Sequence, residues 1–514
     1  MHAGVHSLFV KSVKYYYLVE LKSVHLNSGS LPEYYSISFL IHISEKSKNG
    51  GDSLSEQKFT IDDAPFKKFH FRIAGLTFGS SFCDGYSLGI IAMALTVLGP
   101  QLELNAMWTG LIGSSALIGL FAGALVLGRL SDRIGRQKIF LVNFLLITIA
   151  TILQFFVSSP EALLILRLLI GFGLGGDYAV GTTLLAEFSP KKYRSSLLAS
   201  INVVWTLGYV ASNFVGHYLG QVGSDSWRWM LVSAAIPAIV VLILRIGTPE
   251  SPRWLVSMGR VEEARQIVKK HLGSNVEMGE TTTGSENQKT LGFRGLFSKK
   301  LRKRLAFGGI FKLTLVIPYF AIYTFLPSIL STMGFEQNFF AETMLNLFLL
   351  VGAIFGLWLL AKFSRRGFTI GAFTILTVSL FSLSFLHNGS QFLMLIAFLI
   401  FTFFMSAASN LTLVYPAELF PTEIRGSGIG MVTAISRIGS AIGTFLLPIS
   451  LNSFGLGTSM IGMAVVLLIG LIVSIAWAPE TKNLSLHEAS DPLLEAGNSP
   501  KGTDIPFTEN KKIT

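Results

Sequence analysis

Cysteine is almost absent from this chain of 514 residues: Cys83 is the only one. That excludes an intramolecular disulfide and any metal site built on several thiolates. The histidines, among them His70, His217, His387 and His487, are scattered without ligand spacing, so no metal centre is expected. No G-x-x-x-x-G-K-[S/T] loop occurs, which removes ATP as an energy source, and no cofactor is expected. Charge is scarce as well, at 14% of residues against 51% hydrophobic ones. Residues 1–53 hold Tyr15-Tyr16-Tyr17 among mixed polar residues but no apolar run long enough to span a bilayer or serve as a signal h-region.

What is present is apolar length. Mean hydropathy is +0.56, and roughly a dozen stretches of about 18–25 mostly apolar residues can each cross ~30 Å of hydrocarbon. Backbone groups in lipid must be paired internally, so these runs are helices. The strict apolar/polar alternation of a membrane barrel is missing. The formal charge of +11 does not point to nucleic acid, because the basic residues gather in alternate loops. Arg129, Arg133, Arg136 and Lys138 share one loop, Lys191, Lys192 and Arg194 another, and Lys362, Arg365 and Arg366 a third. The central stretch near 248–304 ends in Lys299, Lys300, Arg302, Lys303 and Arg304. Intervening loops such as Pro100–Met107 and Met333–Ala341 carry almost none. This positive-inside pattern predicts a multi-pass protein of the plasma (cell inner) membrane with both termini and the central loop in the cytoplasm.

The runs predict spans near 72–98, 108–128, 139–158, 162–184, 197–220 and 230–247, then 305–331, 342–361, 369–387, 391–414, 428–450 and 456–478. The expected organisation is a tail over 1–65, a six-helix bundle over 66–247, a cytoplasmic loop over 248–304, a second bundle over 305–478 and a cytoplasmic tail over 479–514. Met278–Asn287, rich in Gly, Thr and Glu, reads as flexible linker. The first segment reads either as a disordered tail or as a mis-assigned start, since no methionine falls between Met1 and Met93 and translation could begin near Leu54. An internal repeat supports the two bundles: Ala186-Glu-Phe-Ser-Pro-Lys-Lys-Tyr-Arg-Ser-Ser196 recurs as Ala417-Glu-Leu-Phe-Pro-Thr-Glu-Ile-Arg-Gly-Ser427, preserving A-E-x-x-P-x-x-x-R-x-S after the fourth span of each.

Gly128-Arg-Leu-Ser-Asp-Arg-Ile-Gly-Arg-Gln-Lys138, between two apolar runs, resembles the loop between helices two and three of the major facilitator superfamily. Pro249-Glu-Ser-Pro-Arg-Trp-Leu255 and Pro479-Glu-Thr-Lys482 resemble its sugar-porter branch. Phe82-Cys-Asp-Gly-Tyr86, with Arg167 through Gly171-Phe-Gly-Leu-Gly-Gly-Asp-Tyr178, is similar to metabolite, aromatic-acid and phosphate proton symporters. Ser87 stands where aromatic-acid members have a second acid. The resemblance runs from about residue 66 to 482. It implies an all-α fold of 12 transmembrane helices in two pseudo-symmetric bundles, with substrate held between them.

Intramembrane charges are the candidate site. Asp84 lies roughly 18 Å into the first span, where a carboxylate costs ~2.5–3.5 kcal/mol and so should face the bundle interior. Proton coupling or binding competes there with a structural acid bonded to Tyr or Ser neighbours. Asp177 follows Gly175-Gly176 in the inner half of the fourth span, and the resemblance implies a part in substrate or proton handling. Glycines 171, 173, 175 and 176 are expected to let a neighbouring helix approach rather than to cradle phosphate. Arg437, about 15 Å into the eleventh span, suits an anionic solute through paired donors, or an internal salt bridge to Asp84 or Asp177. Arg167 snorkels, pairs locally or joins this group. Tyr86, Tyr178, Trp205, Tyr209, Tyr319 and Tyr323 are candidate cavity aromatics, with Pro318 and Pro327 expected to bend the seventh span. The resemblance further implies a gate in which Asp132, with Arg133 and Arg136, bonds helix ends of the opposite half when the cytoplasmic side is closed. Glu187 with Arg194, and Glu418 with Arg425, are the accompanying pairs.

The expected function is alternating-access symport of a small organic anion with protons, in membrane lipid, with no nucleic-acid partner and no required oligomer. A sugar or polyol carrier, a phosphate carrier, and a membrane sensor that binds solute without moving it are the alternatives. An enzyme is not expected, because no Ser/His/Asp or His/Glu constellation falls at one membrane depth.

Overall fold

Twelve apolar runs fold as twelve spanning helices. In the computed structural model the first six are Lys68–Gln101, Ala106–Ile134, Arg136–Phe156, Pro160–Phe188, Lys191–Leu219 and Ser226–Arg245. Four more are Arg302–Thr324, Phe339–Lys362, Arg365–Phe385 and Gln391–Leu419. The last continuous stretch, Arg425–Trp477, is 53 residues long but breaks at Gly455, whose φ of 75° and ψ of 179° are not helical. A left-handed φ is free of penalty only for glycine, and Gly455 divides this stretch into spans eleven and twelve. The structure describes residues 59–277, 297–298, 301–335, 339–386, 389–420 and 425–482, with Phe59, Ser195, Glu277, Arg425 and Gly426 described by backbone alone. Most of the expected tails, the Met278–Asn287 linker, Lys299, Lys300, His387 and His487 lie outside the described residues.

Helices pack by letting backbones touch, since lipid gives apolar side chains no reason to prefer each other over acyl chains. Gly171 and Gly175 of span four lie against the Ala116 and Leu120 carbonyls of span two, and Gly119 and Gly123 return the contact at Leu168 and Phe172. Gly173 and Gly176 face Ile147 and Asn143 of span three. The four glycines thus serve two neighbours at once, as close-packing residues. The second bundle repeats the device, with Gly352 and Gly356 of span eight against Phe403 and Ala407 of span ten. Outward faces carry large exposed apolar side chains at helical spacing, such as Val142, Leu145 and Ile149 on span three and Ile236, Val240 and Ile243 on span six. In this protein they meet lipid.

Several spans are interrupted. The seventh stops at Phe325 and resumes as Leu326–Thr332. Pro327 donates no amide, so the Tyr323 carbonyl one turn earlier loses its helical partner. Tyr209 of span five fills that vacancy across the two bundles, its hydroxyl donating to the Tyr323 carbonyl at 2.7 Å. This bond belongs to a seam on the face away from the charged loops. There the His217 and Phe339 rings stack at 4.2 Å, and Gly110 touches the Phe445 backbone. Deeper in, Asn202 of span five donates to Ser409 and Asn410 of span ten, each at 2.9 Å.

At the charged face a short segment before span one forms a two-residue parallel bridge, Phe59–Thr60 with Val276–Glu277. Ile61 and Ala64 pack there on Val268, Leu272 and Val276.

Candidate substrate and ion site

Asp84 sits at the middle of the 34-residue first helix and is 2% exposed. Gly85 beside it admits the span-five backbone at Trp205, which brings Trp205 and Tyr209 close. One Asp84 oxygen, Oδ1, is buried with no hydrogen-bond partner. Its charged neighbours are Asp177, Arg245 and Arg437, so the acid faces the interior, as a charge at that depth must.

Asp177 has a dedicated partner, and it is not Arg437. The Arg245 guanidinium donates to Asp177 at 2.5 Å, with both side chains buried. Arg245 also donates to the Phe140 carbonyl at 2.5 Å and lies over the Phe140 and Phe144 rings at 3.3 and 3.8 Å. The expected Arg437 salt bridge to either acid is therefore corrected: Arg437 forms no ion pair among the described residues. Its guanidinium lies 5.2 Å from the Tyr178 ring and 5.3 Å from the Phe320 ring, and its buried Nε has no partner. It also lines a groove of about 340 Å³ between spans two and eleven, with Leu111, Ser114, Ile118, Ala441 and Phe445.

The aromatics divide. Trp205 is within about 6 Å of Tyr209, Tyr319 and Phe320, and Tyr323 adjoins Tyr319 and Tyr209. These rings lie where spans five and seven meet, between the bundles. The Trp205 indole N–H is buried without a partner. Tyr86 does not join them: its hydroxyl pairs with Ser233 of span six at 2.8 Å, inside the first bundle. Arg167 neither snorkels nor pairs with an acid. It is 1% exposed, donates to the Ser87 carbonyl at 3.0 Å, and keeps Nε and Nη2 unpartnered.

Two intramembrane cations lie outside the sequence-derived set. Arg245 is one. The other is Lys312 in span seven, 7% exposed, which donates to Thr433 of span eleven at 2.9 Å. An ionisable residue inside an apolar run, the signal that draws attention to Asp84 and Arg437, marks both.

The profile described as "Sugar (and other) transporter" matches residues 73–492. The chain belongs to this family, within the major facilitator superfamily. It is 48% identical over 438 residues to the inner membrane metabolite transport protein YgcS of Escherichia coli, covering 85% of this chain and 96% of that one. It is 27% identical to the niacin transporter NiaP of Acinetobacter baylyi, over 74% of this chain and 87% of that one. Its fold is that of the xylose transporter XylE of E. coli in a partially occluded inward open conformation. The TM-score is 0.70 at 20% identity, with 82% of this chain and all of that one covered. The protein is a multi-span integral membrane transporter of a small-molecule solute, not an enzyme.

At the charged face of this transporter the two repeats form one network twice. Glu250 accepts from the backbone amides of Arg136 and Gln137 at 3.0 and 3.1 Å, where the unpaired N–H groups of span three need an acceptor. Gly135 makes the turn with φ of 119°. Glu480 does the same for Arg365 and Arg366 at the start of span nine, at 2.9 and 3.2 Å. The acids of the A-E-x-x-P repeat complete the pattern. Glu187 pairs with Arg136 and accepts from Ser251 at 2.5 Å. Glu418 pairs with Arg365 at 3.2 Å and accepts from Thr481 at 2.6 Å.

These contacts correct the pairing expected for the first repeat acid. Glu187 binds Arg136 rather than Arg194, and Glu418 binds Arg365, the Arg425 side chain lying outside the description. Arg194 pairs with Asp62, which also meets Arg253 at 2.7 Å. Asp132 is 70% exposed and reaches only Arg136 of its own half at 3.8 Å, and Arg133 is exposed. Every described ion pair stays within one half. In this arrangement, where Tyr209, His217 and Phe339 join the bundles on the opposite face, Asp132 makes no described contact across the bundles. Burial alone would raise the Asp62 carboxyl, but the hydrogen bonds and charges of Arg194 and Arg253 outweigh it and hold the group below its ordinary value.

Proposed function

We propose that this protein is a proton-coupled symporter of a small organic anion in the cell inner membrane, with its charged face and both termini in the cytoplasm. One observation carries the reading. Asp84 holds an unpartnered carboxylate oxygen in the first bundle, while Arg437, free of any ion pair among the described residues, faces it from the second. A buried carboxylate without a fixed cation is suited to taking up a proton, and a guanidinium without a fixed anion is suited to binding one. Each group is satisfied only when loaded, so the empty site favours neither bundle arrangement strongly and loading can bias it. NiaP, named for niacin, offers an example of a carboxylate-bearing solute on a related chain.

The decisive experiment is solute uptake into proteoliposomes under an imposed pH gradient, with Asp84→Asn alongside. Uptake that ignores the gradient would remove proton coupling. A second reading, a neutral sugar, draws on the aromatic group with its unpartnered Trp205 N–H and on the xylose transporter fold. Under that reading Arg437→Gln retains most transport.

A further inference from the structure

Lys312 and Arg437 stand together on the second bundle's face. Thr433, which Lys312 binds at 2.9 Å, precedes Arg437 by four residues on span eleven, and side chains so spaced lie on one face about 5–6 Å apart. Lys312 is buried, and neither cation has a carboxylate partner among the described residues. The charged neighbour of Lys312 is Arg437 itself. Arg437 in turn faces Asp84 of span one and Tyr178 of span four, and Asp177 of span four, Arg245 of span six and Tyr319 of span seven adjoin those two. Asp177 and Arg245 neutralise each other at 2.5 Å. Among the described residues Asp84 is then the acid without a fixed cation that faces Arg437, and none pairs with Lys312.

We propose that Lys312 and Arg437 form a two-cation site and that the transported solute is a dianionic organic acid, one anionic group to each cation. The inference rests on the proton-coupled anion reading above. When Asp84 carries the coupling proton, no described carboxylate is left to balance either cation in surroundings that solvate charge poorly. A dianion brings the loaded centre to zero net charge. A monoanion leaves one cation uncompensated and a neutral solute leaves two. Arg437 supplies a planar fork and Lys312 a compact point charge, so the two anionic groups need not be held alike.

Matched acids test this: succinate, glutarate and phthalate against butyrate, valerate and benzoate, with xylose as the neutral probe. Binding to the purified full chain is read from tryptophan fluorescence, and transport from proteoliposome uptake. Each dicarboxylate is expected to bind at least about tenfold more tightly than its matched monocarboxylate, the worth of one charge-assisted contact. Lys312→Gln is expected to collapse that ratio toward one, and Lys312→Arg to preserve it. Equal affinity for the two series in the unaltered protein overturns the proposal without needing any variant, as does a ratio that survives Lys312→Gln. If monocarboxylates alone are carried with protons, the anion reading stands and the two-cation site falls. If xylose binds and neither acid series does, both fall.

Discussion

An ionisable side chain in hydrocarbon must find a partner, lose its charge or face water, and Asp84, Asp177, Arg245 and Arg437 divide along those lines. Asp177 and Arg245 pair in a closed pocket. Removing one partner of a buried pair costs about 3–5 kcal/mol, because the other charge is left stranded, whereas replacing both by apolar groups can be nearly neutral. Asp177→Ala should therefore lower the melting temperature of the detergent-solubilised protein markedly, and Asp177→Leu combined with Arg245→Met should regain most of it. Asp84 has no such fixed partner, so its expected phenotype is functional. Asp84→Asn should abolish gradient-driven accumulation while leaving solute exchange across the bilayer measurable by counterflow. Arg437→Gln should raise KM for an anionic solute at least about tenfold, the loss of a charge-assisted pair. Asp84, Asp177 and Arg437 are readable in the sequence because a charge interrupts an apolar run. Which of them is already neutralised is not, since Arg245 reaches Asp177 from 68 residues away.

At the level of helices, the two P-E-[S/T] segments explain themselves once their acids are seen at helix starts. Glu250→Ala should cost about 1–2 kcal/mol through the lost cap and its interaction with the helix dipole, read as faster amide exchange in the first turn of span three. Glu480→Ala should do the same for span nine. The segment before span one is tied down by Asp62, whose carboxyl is held below its ordinary value. A depressed carboxyl contributes stability that is fully present above its unfolded value, and that stability is lost as pH falls through the lower folded value. Exchange protection over residues 59–66 should therefore hold at neutral pH and fall only below about pH 4, while Asp62→Asn should lose it at pH 7. The spans themselves follow from hydropathy, and their breaks from proline and glycine. Most helix starts extend a few residues beyond the apolar runs, and those of spans two, four and nine are capped by the side chains of Asn105, Ser159 and Ser364.

For the whole molecule, the seam is closed on one face, and the ion pairs on the other stay within their halves. Alternating access requires that seam to open. Cys83 is buried, which leaves a quiet background for introduced cysteines. His217→Cys with Phe339→Cys, whose rings stack at 4.2 Å in the unaltered chain, should cross-link through a short cleavable bifunctional thiol reagent, arrest uptake and recover it on cleavage. Transport that continues through the cross-linked protein would contradict rocking of the bundles at this seam. The repeat A-E-x-x-P-x-x-x-R-x-S is enough to expect two like halves, yet it pairs the wrong side chains when read alone. Glu187 and Arg194 are near in sequence, but the helix start at Arg136 is nearer in space.

Hydropathy along the chain suffices for the spanning helices, the internal repeat for two like halves, and the short motifs for the family they resemble, because each is a property of local sequence. Lipid enforces the first of these, leaving an apolar run no alternative to a helix. Partnership among charges is a different matter. It depends on which helices stand side by side and how closely their glycines let them come. Only the packed bundles therefore assign Arg245 to Asp177, set Lys312 beside Arg437, and leave Asp84 with an oxygen still to be satisfied.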